Sequence, residues 1–168
     1  MRPDYWQPPI ELSPTEAFVM NRIKRGKLFV FLRQIRHELF DAAFQEELNH
    51  CFADSAVGQP PVPLAQVSLT LLLQAYTGAS DDEAIEALVM DRRWQLVLDC
   101  LNCEQAPFSK ATLVRGRQGL LNRRLDRRFV ERTLELPTQR GGVGPRTLRA
   151  SLHSSPLLAA GWRAGTAY

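Results

Sequence analysis

No run of about 18 apolar residues occurs in the 168 residues, so no membrane-spanning helix is expected. Cysteine is scarce: Cys51, Cys100 and Cys103 cannot build a disulfide framework, and a reducing cytoplasm is the simple setting. The N-terminus, MRPDYWQPPIELSP, has no continuous apolar core and carries three prolines in its first nine residues, unlike a secretory signal. No alternating strand pattern appears before residue 136. No G-x-S-x-G, no phosphate loop and no clear metal-carboxylate set is present. After Glu135 there is no aspartate or glutamate at all, although four arginines follow.

What is present is uneven charge. Residues 1–109 hold nine basic and fifteen acidic residues; residues 110–168 hold twelve basic and three acidic. The net charge of +3 conceals this contrast, which points to one polyanion-facing part.

Residues 1–16 read as an extended, Pro-rich arm lying over something else, with Trp6 as a packing anchor. From 27 to 52, Leu28, Leu32, Ile35, Leu39 and Ala42 recur at helical spacing, with Phe40, Phe44, Leu48 and Phe52 as a second row. This predicts one long, substantially buried helix, ended by GQPPVP. A second, nearly all-apolar helix follows at 64–76, with Gly78 as its stop. Ser80 and Glu83 have capping-box spacing at the start of a third. WQLVLDCL suggests a short fourth helix, and Ser109 is the natural N-cap of the next. Residues 17–136 therefore read as a compact all-α domain with a helix-turn-helix-like part. The Gly/Ser/Pro-rich segment 137–168 reads as a poorly ordered tail, with TLRASL as a short helix at most.

The strongest chemical signal is FSKATLVRGRQGLLNRRLDRRF. From Lys110 to Arg132 there are eight basic and two acidic residues. Projection at 100° per residue puts Leu113, Val114, Leu121 and Leu125 on one inward arc. Thr112, Arg115, Gly116, Gly119 and Arg123 fall opposite, a face where forked donors and small residues would suit phosphate contact. Arg117 and Arg124 lie near the apolar arc, a conflict that a break near Asn122 and a new helix from Asp126 would relieve. The same charges would equally suit a solvated helix with no ligand. A second basic run, Arg22, Lys24, Arg25, Lys27, Arg33 and Arg36, would either flank the same ligand or pair with the acidic middle, 37–109.

Other candidates are weaker. Cys100-Leu-Asn-Cys103 has the spacing of a zinc half-site, but the further ligands of a tetrahedral site have no obvious source beyond His50 and Cys51, so packing cysteines are the simpler reading. His37 and His153 have no evident partner. Asp81, Asp82, Glu83 and Glu86 cluster where helix capping alone would put them. No metal site is assigned.

KLFVFLRQIRHELFDAAFQEEL, then PPVPLAQVSLTLLLQAYTGASDDEAIE, DRRWQLVLDCLNCEQAPFSKATLVRGR and DRRFVERTLEL, in this order, resemble the N-terminal domain of DDE-type transposases of bacterial insertion sequences. The resemblance covers about residues 20–136. It implies that the helical region recognises double-stranded DNA at the element's terminal inverted repeats. It also implies that full-length relatives carry an RNase H-like domain whose three carboxylates hold two divalent ions such as Mg²⁺. The tail LRASLHSSPLLAAGWRAGTAY resembles the start of that domain, with His153 where the family has a catalytic aspartate. No catalytic residue is carried over, no cofactor is expected in this chain, and the chain is expected to be inactive alone. Gly116 and Gly119 also depart from the family, which has an aromatic and a further arginine there. Each mid-helix glycine costs about 1 kcal/mol relative to alanine, so a frayed helix is expected.

The leading expectation is thus a DNA-binding fragment of a transposase, truncated early in the catalytic domain. Its DNA contacts would be Lys110, Thr112, Arg115, Arg117, Arg123, Arg124 and Arg127. Partners would be transposon-end DNA and a second copy or a full-length transposase. The alternatives are a helical interaction module that presents the apolar face of 27–52, and a decayed gene copy without a role.

Overall fold

The structure, a computed structural model, describes residues 1–52, 58 and 60–139, with backbone alone at 137–139. Eight helices and no strand occur among the described residues: α1 Pro14–Arg22, α2 Lys27–Leu39, α3 Ala42–Asn49, α4 Leu64–Thr77, α5 Asp81–Met90, α6 Arg92–Leu98, α7 Lys110–Asn122 and α8 Leu125–Gln139. Residues 137–139, expected to begin the tail, continue α8; the rest of the tail, with TLRASL and His153, lies outside the described residues. None of these helices is long and apolar enough to cross a membrane.

The apolar helix α4 is the centre. It is buried from Leu64 to Gln74 apart from Gln66, and it contacts α3, α5, α6 and α7. A helix apolar on nearly every side can be satisfied only by neighbours on nearly every side. Local signals place its end and the next start as read. Gly78 adopts the left-handed conformation (φ 75°), and Ser80 and Glu83 exchange both bonds of a capping box.

The single helix expected over 27–52 is two helices. Asp41 breaks it: its carboxylate accepts the Phe44 N–H at 2.8 Å and so caps α3, while Gln45 Nε2 donates to the freed Phe40 carbonyl at 2.9 Å. The turn places Phe40 at the hub of an aromatic cluster, with ring centroids 6.0 Å from Trp6, 5.9 Å from Phe44 and 5.6 Å from Phe129. Leu28, Leu32, Ile35, Leu39, Phe40, Phe44 and Leu48 are all buried inside the domain. Apart from exposed Ala42 and half-buried Phe52, the face that an interaction module would have presented is therefore already covered.

The arm ends earlier than expected, because Ser13 caps α1 with a full capping box to Glu16. It lies on its own domain. Trp6 is indeed the anchor: its N–H donates to Gln45 Oε1 at 2.6 Å, and its carbonyl accepts from Gln45 Nε2 at 3.0 Å. Arg33 and Arg36, read as flanking a ligand or as pairing with the acidic middle, are buried at 1% exposure each and hold the arm down. Arg33 donates to Glu16 (2.7 and 3.1 Å) and to the carbonyls of Ile10 and Glu11. Arg36 donates to the carbonyls of Leu96, Val97 and Pro9. Burial, and then the neighbouring charge of Arg33, pull Arg36 down to about 10, which leaves it charged at neutral pH.

Candidate nucleic-acid interface

Helix α7 starts where the sequence says it should: the Ser109 hydroxyl accepts the Thr112 N–H at 3.3 Å. Its inward stripe is different from the projected one. Leu113 and Leu120 are buried, Val114 is 43% exposed, and Gly116 lies between the two leucines against α4. A Cβ on Gly116 would stand 2.6 Å from Val67 Cγ1 and 3.2 Å from Leu64 Cδ2. Gly119 lies beside Cys51, whose Sγ donates to the Gly119 carbonyl at 3.6 Å. The glycines expected on the outward face therefore look into the domain, and at Gly116 the missing side chain is what lets α7 pack on α4. Thr112 and Arg115 share with them the wall of a cleft of about 470 Å³, whose other side includes Phe52, Pro60, Pro61 and Val62.

The helix breaks at the predicted place. Arg123 ends α7 and Arg124 follows in the left-handed conformation (φ 57°), after which α8 departs. That position, just past a helix, usually holds glycine because a Cβ is unfavourable there. Arg123, Arg124 and Arg127 are exposed, as is Arg115 on α7. None of the four has an ion-pair partner among the described residues. In contrast, Arg128 pairs with Glu47 and Arg132 with Asp41.

The remaining two basic candidates are engaged by α5. Lys110 Nζ lies 2.8 Å from both carboxylate oxygens of Asp82, and this bond raises its pKa. Arg117 donates to both oxygens of Asp81 and to Gln74 Oε1, which also ties α5 to α4. The bond from Arg117 holds the Asp81 carboxyl below its usual range against the opposing push of burial. The acidic start of α5 thus serves as cap and as counter-charge for α7. Of the basic candidates, Arg115, Arg123, Arg124 and Arg127 remain without an ion-pair partner among the described residues, and the pairs of Lys110 and Arg117 tie α7 to α5.

The second basic run divides. Arg33 and Arg36 are internal, while Arg22, Lys24, Arg25 and Lys27 stay exposed. The cysteines pack within the domain: Cys103 Sγ donates to the Leu88 carbonyl at 3.4 Å, and burial, followed by the neighbouring Cys103, pushes the Cys100 thiol up to about 12. Among the described residues no three His, Cys, Asp or Glu side chains are grouped to hold a metal.

A family model described as Transposase domain (DUF772) matches residues 18–119. No curated protein and no solved structure matches the chain.

Proposed function

The chain belongs to this transposase domain family, and on that premise we propose that it recognises transposon-end duplex DNA through the turn between α7 and α8. The observation that carries the reading is the group of exposed arginines without ion-pair partners, Arg115, Arg123, Arg124 and Arg127. On the same two helices Arg117, Arg128 and Arg132 are instead drawn into pairs with Asp81, Glu47 and Asp41. Arg123, Arg124 and Arg127 left unpaired around one turn, with Arg115 about two helical turns back along α7, leave guanidinium forks free for phosphate oxygens. Thr112, on the wall of the adjoining cleft, offers a hydroxyl to the same backbone. No catalytic role is assigned to any residue, and strand cleavage with Mg²⁺ would need the carboxylates that the resemblance places in a following domain.

Fluorescence anisotropy with a labelled duplex of the element's terminal repeat, over a salt series, tests this. The expected result is salt-sensitive binding that is lost in the R123E/R124E/R127E variant. Absence of binding at low salt overturns it.

A further inference from the structure

The α7 ion pairs hold the N-terminal end of α5. At its other end, about 15 Å away for a ten-residue helix, the chain forms a second basic cleft. It encloses about 370 Å³ between the end of α1, the α1–α2 loop and the start of α6. Phe18 and Arg22 come from α1, Lys24 and Arg25 from the loop, and Arg92 and Arg93 from α6. No acidic side chain lines it.

The six residues play distinct parts. Arg93 is committed: Asp91 binds it at 2.6 to 3.2 Å, and its guanidinium lies over the Phe29 ring at 5.0 Å. Arg22 lies over Phe18, 4.5 Å from the ring centroid, and so braces that ring. Lys24, Arg25 and Arg92 are exposed and have no ion-pair partner among the described residues. Phe18 itself is 51% exposed, although a neighbouring α1 residue, Val19, is buried.

Three uncommitted cations call for a polyanion. The Phe18 ring, half exposed with Arg22 over one face, narrows the class. A duplex keeps its base faces stacked inside, so it could use the cations but not the ring. A single strand offers phosphates and free base faces together, and base-on-aromatic stacking with flanking cations is how such strands are held. We infer that this cleft binds single-stranded nucleic acid, its phosphates on Lys24, Arg25 and Arg92 and a base on the Phe18 ring. The inference rests on the reading of the chain as a DNA-binding protein, and it adds a site for unpaired nucleotides at a separate place on the domain.

Anisotropy of a labelled short oligothymidine with the full chain at low salt tests it, beside a labelled blunt duplex. Phe18→Ala should weaken oligothymidine binding by about 5-fold to 100-fold and leave duplex binding within about twofold. K24E/R25E/R92E should weaken it at least about tenfold. The R123E/R124E/R127E variant should retain oligothymidine binding while losing the duplex. All substituted residues are exposed, and an unchanged thermal melt confirms that each variant folds. No oligothymidine binding by the parent chain, or binding that Phe18→Ala leaves unaltered, overturns the inference. Failure of the α7–α8 reading would show differently, as duplex binding that the R123E/R124E/R127E variant preserves.

Discussion

Gly116 and Val67 are in contact across the α7–α4 interface, with room for a hydrogen but not for a methyl group. Gly116→Ala would gain about 1 kcal/mol of helix propensity. It would also force a Cβ to 2.6 Å from Val67 Cγ1, and overpacking of a tight core costs about 1–3 kcal/mol. A net loss of stability is expected by denaturant titration. Val67→Ala in the same chain should recover part of it, a coupling that a double-mutant cycle reads directly. Gly119→Ala should instead stabilise by up to about 1 kcal/mol, since its nearest neighbour, Cys51 Cβ, would be at 3.7 Å.

Arg124 sits at a left-handed backbone position with its side chain free. Arg124→Gly removes the Cβ conflict but adds unfolded-chain entropy, so a gain below about 1 kcal/mol is expected. Duplex affinity should fall at the same time. A variant that binds duplex as well as the parent would show that Arg124 is not a DNA contact.

The Asp81–Arg117 pair predicts a pH effect. The folded carboxyl titrates below its usual range, so the pair's contribution is fully present above the unfolded value of about 4 and is lost as pH falls through the folded one. Arg117→Met should cost about 1.5–3 kcal/mol at neutral pH, the worth of hydrogen bonds to a charged group. The acid limb of the stability profile should then be shallower than the parent's.

Glu16 gives a second acid-side test. Burial pushes its carboxyl up, but the Arg33 bond, the Ser13 N–H and the charges of Arg33 and Arg36 together hold it low. Its contribution likewise exists above about pH 4 and disappears below the folded value. Glu16→Gln leaves two buried guanidinium groups short of counter-charge, and about 3–5 kcal/mol is expected to be lost at pH 7. The difference from the parent should narrow steadily in melts taken toward pH 3.

Salt dependence separates phosphate contact from general stickiness. Each neutralised phosphate contributes about −0.9 to the slope of log K against log salt for duplex DNA. Neutralising Arg123, Arg124 and Arg127 to Ala should make the slope shallower by about 2–3. Lys110→Ala should change it by less, because that charge is already met by Asp82.

Caps and stops were legible because they are local: Ser80, Ser109, Gly78 and the break near Asn122 each depend on residues within one turn. The one-helix reading of 27–52 missed Asp41, whose cap competes with helix continuation inside an apolar pattern. Projection failed at Gly116 because it follows large apolar side chains, whereas a close helix contact is marked by having none. The basic character of α7 and α8 was plain, but not which arginines are free. That depends on Asp81, Asp82, Glu47 and Asp41, all distant in sequence. The same holds for Arg92 beside Lys24 and Arg25, which no spacing rule brings together, and for Arg33 and Arg36, whose burial follows from acceptors elsewhere in the chain.

Those acceptors have one more consequence. The family match begins at residue 18, yet the carbonyls of Pro9, Ile10 and Glu11 and the Glu16 carboxylate, all before it, complete the coordination of Arg33 and Arg36 after it. A polypeptide started at the boundary of the shared sequence would strip Arg33 of Glu16, Ile10 and Glu11, and leave Arg36 only its acceptors on the α6 side. What is common to relatives and what folds as one unit begin at different residues in this chain.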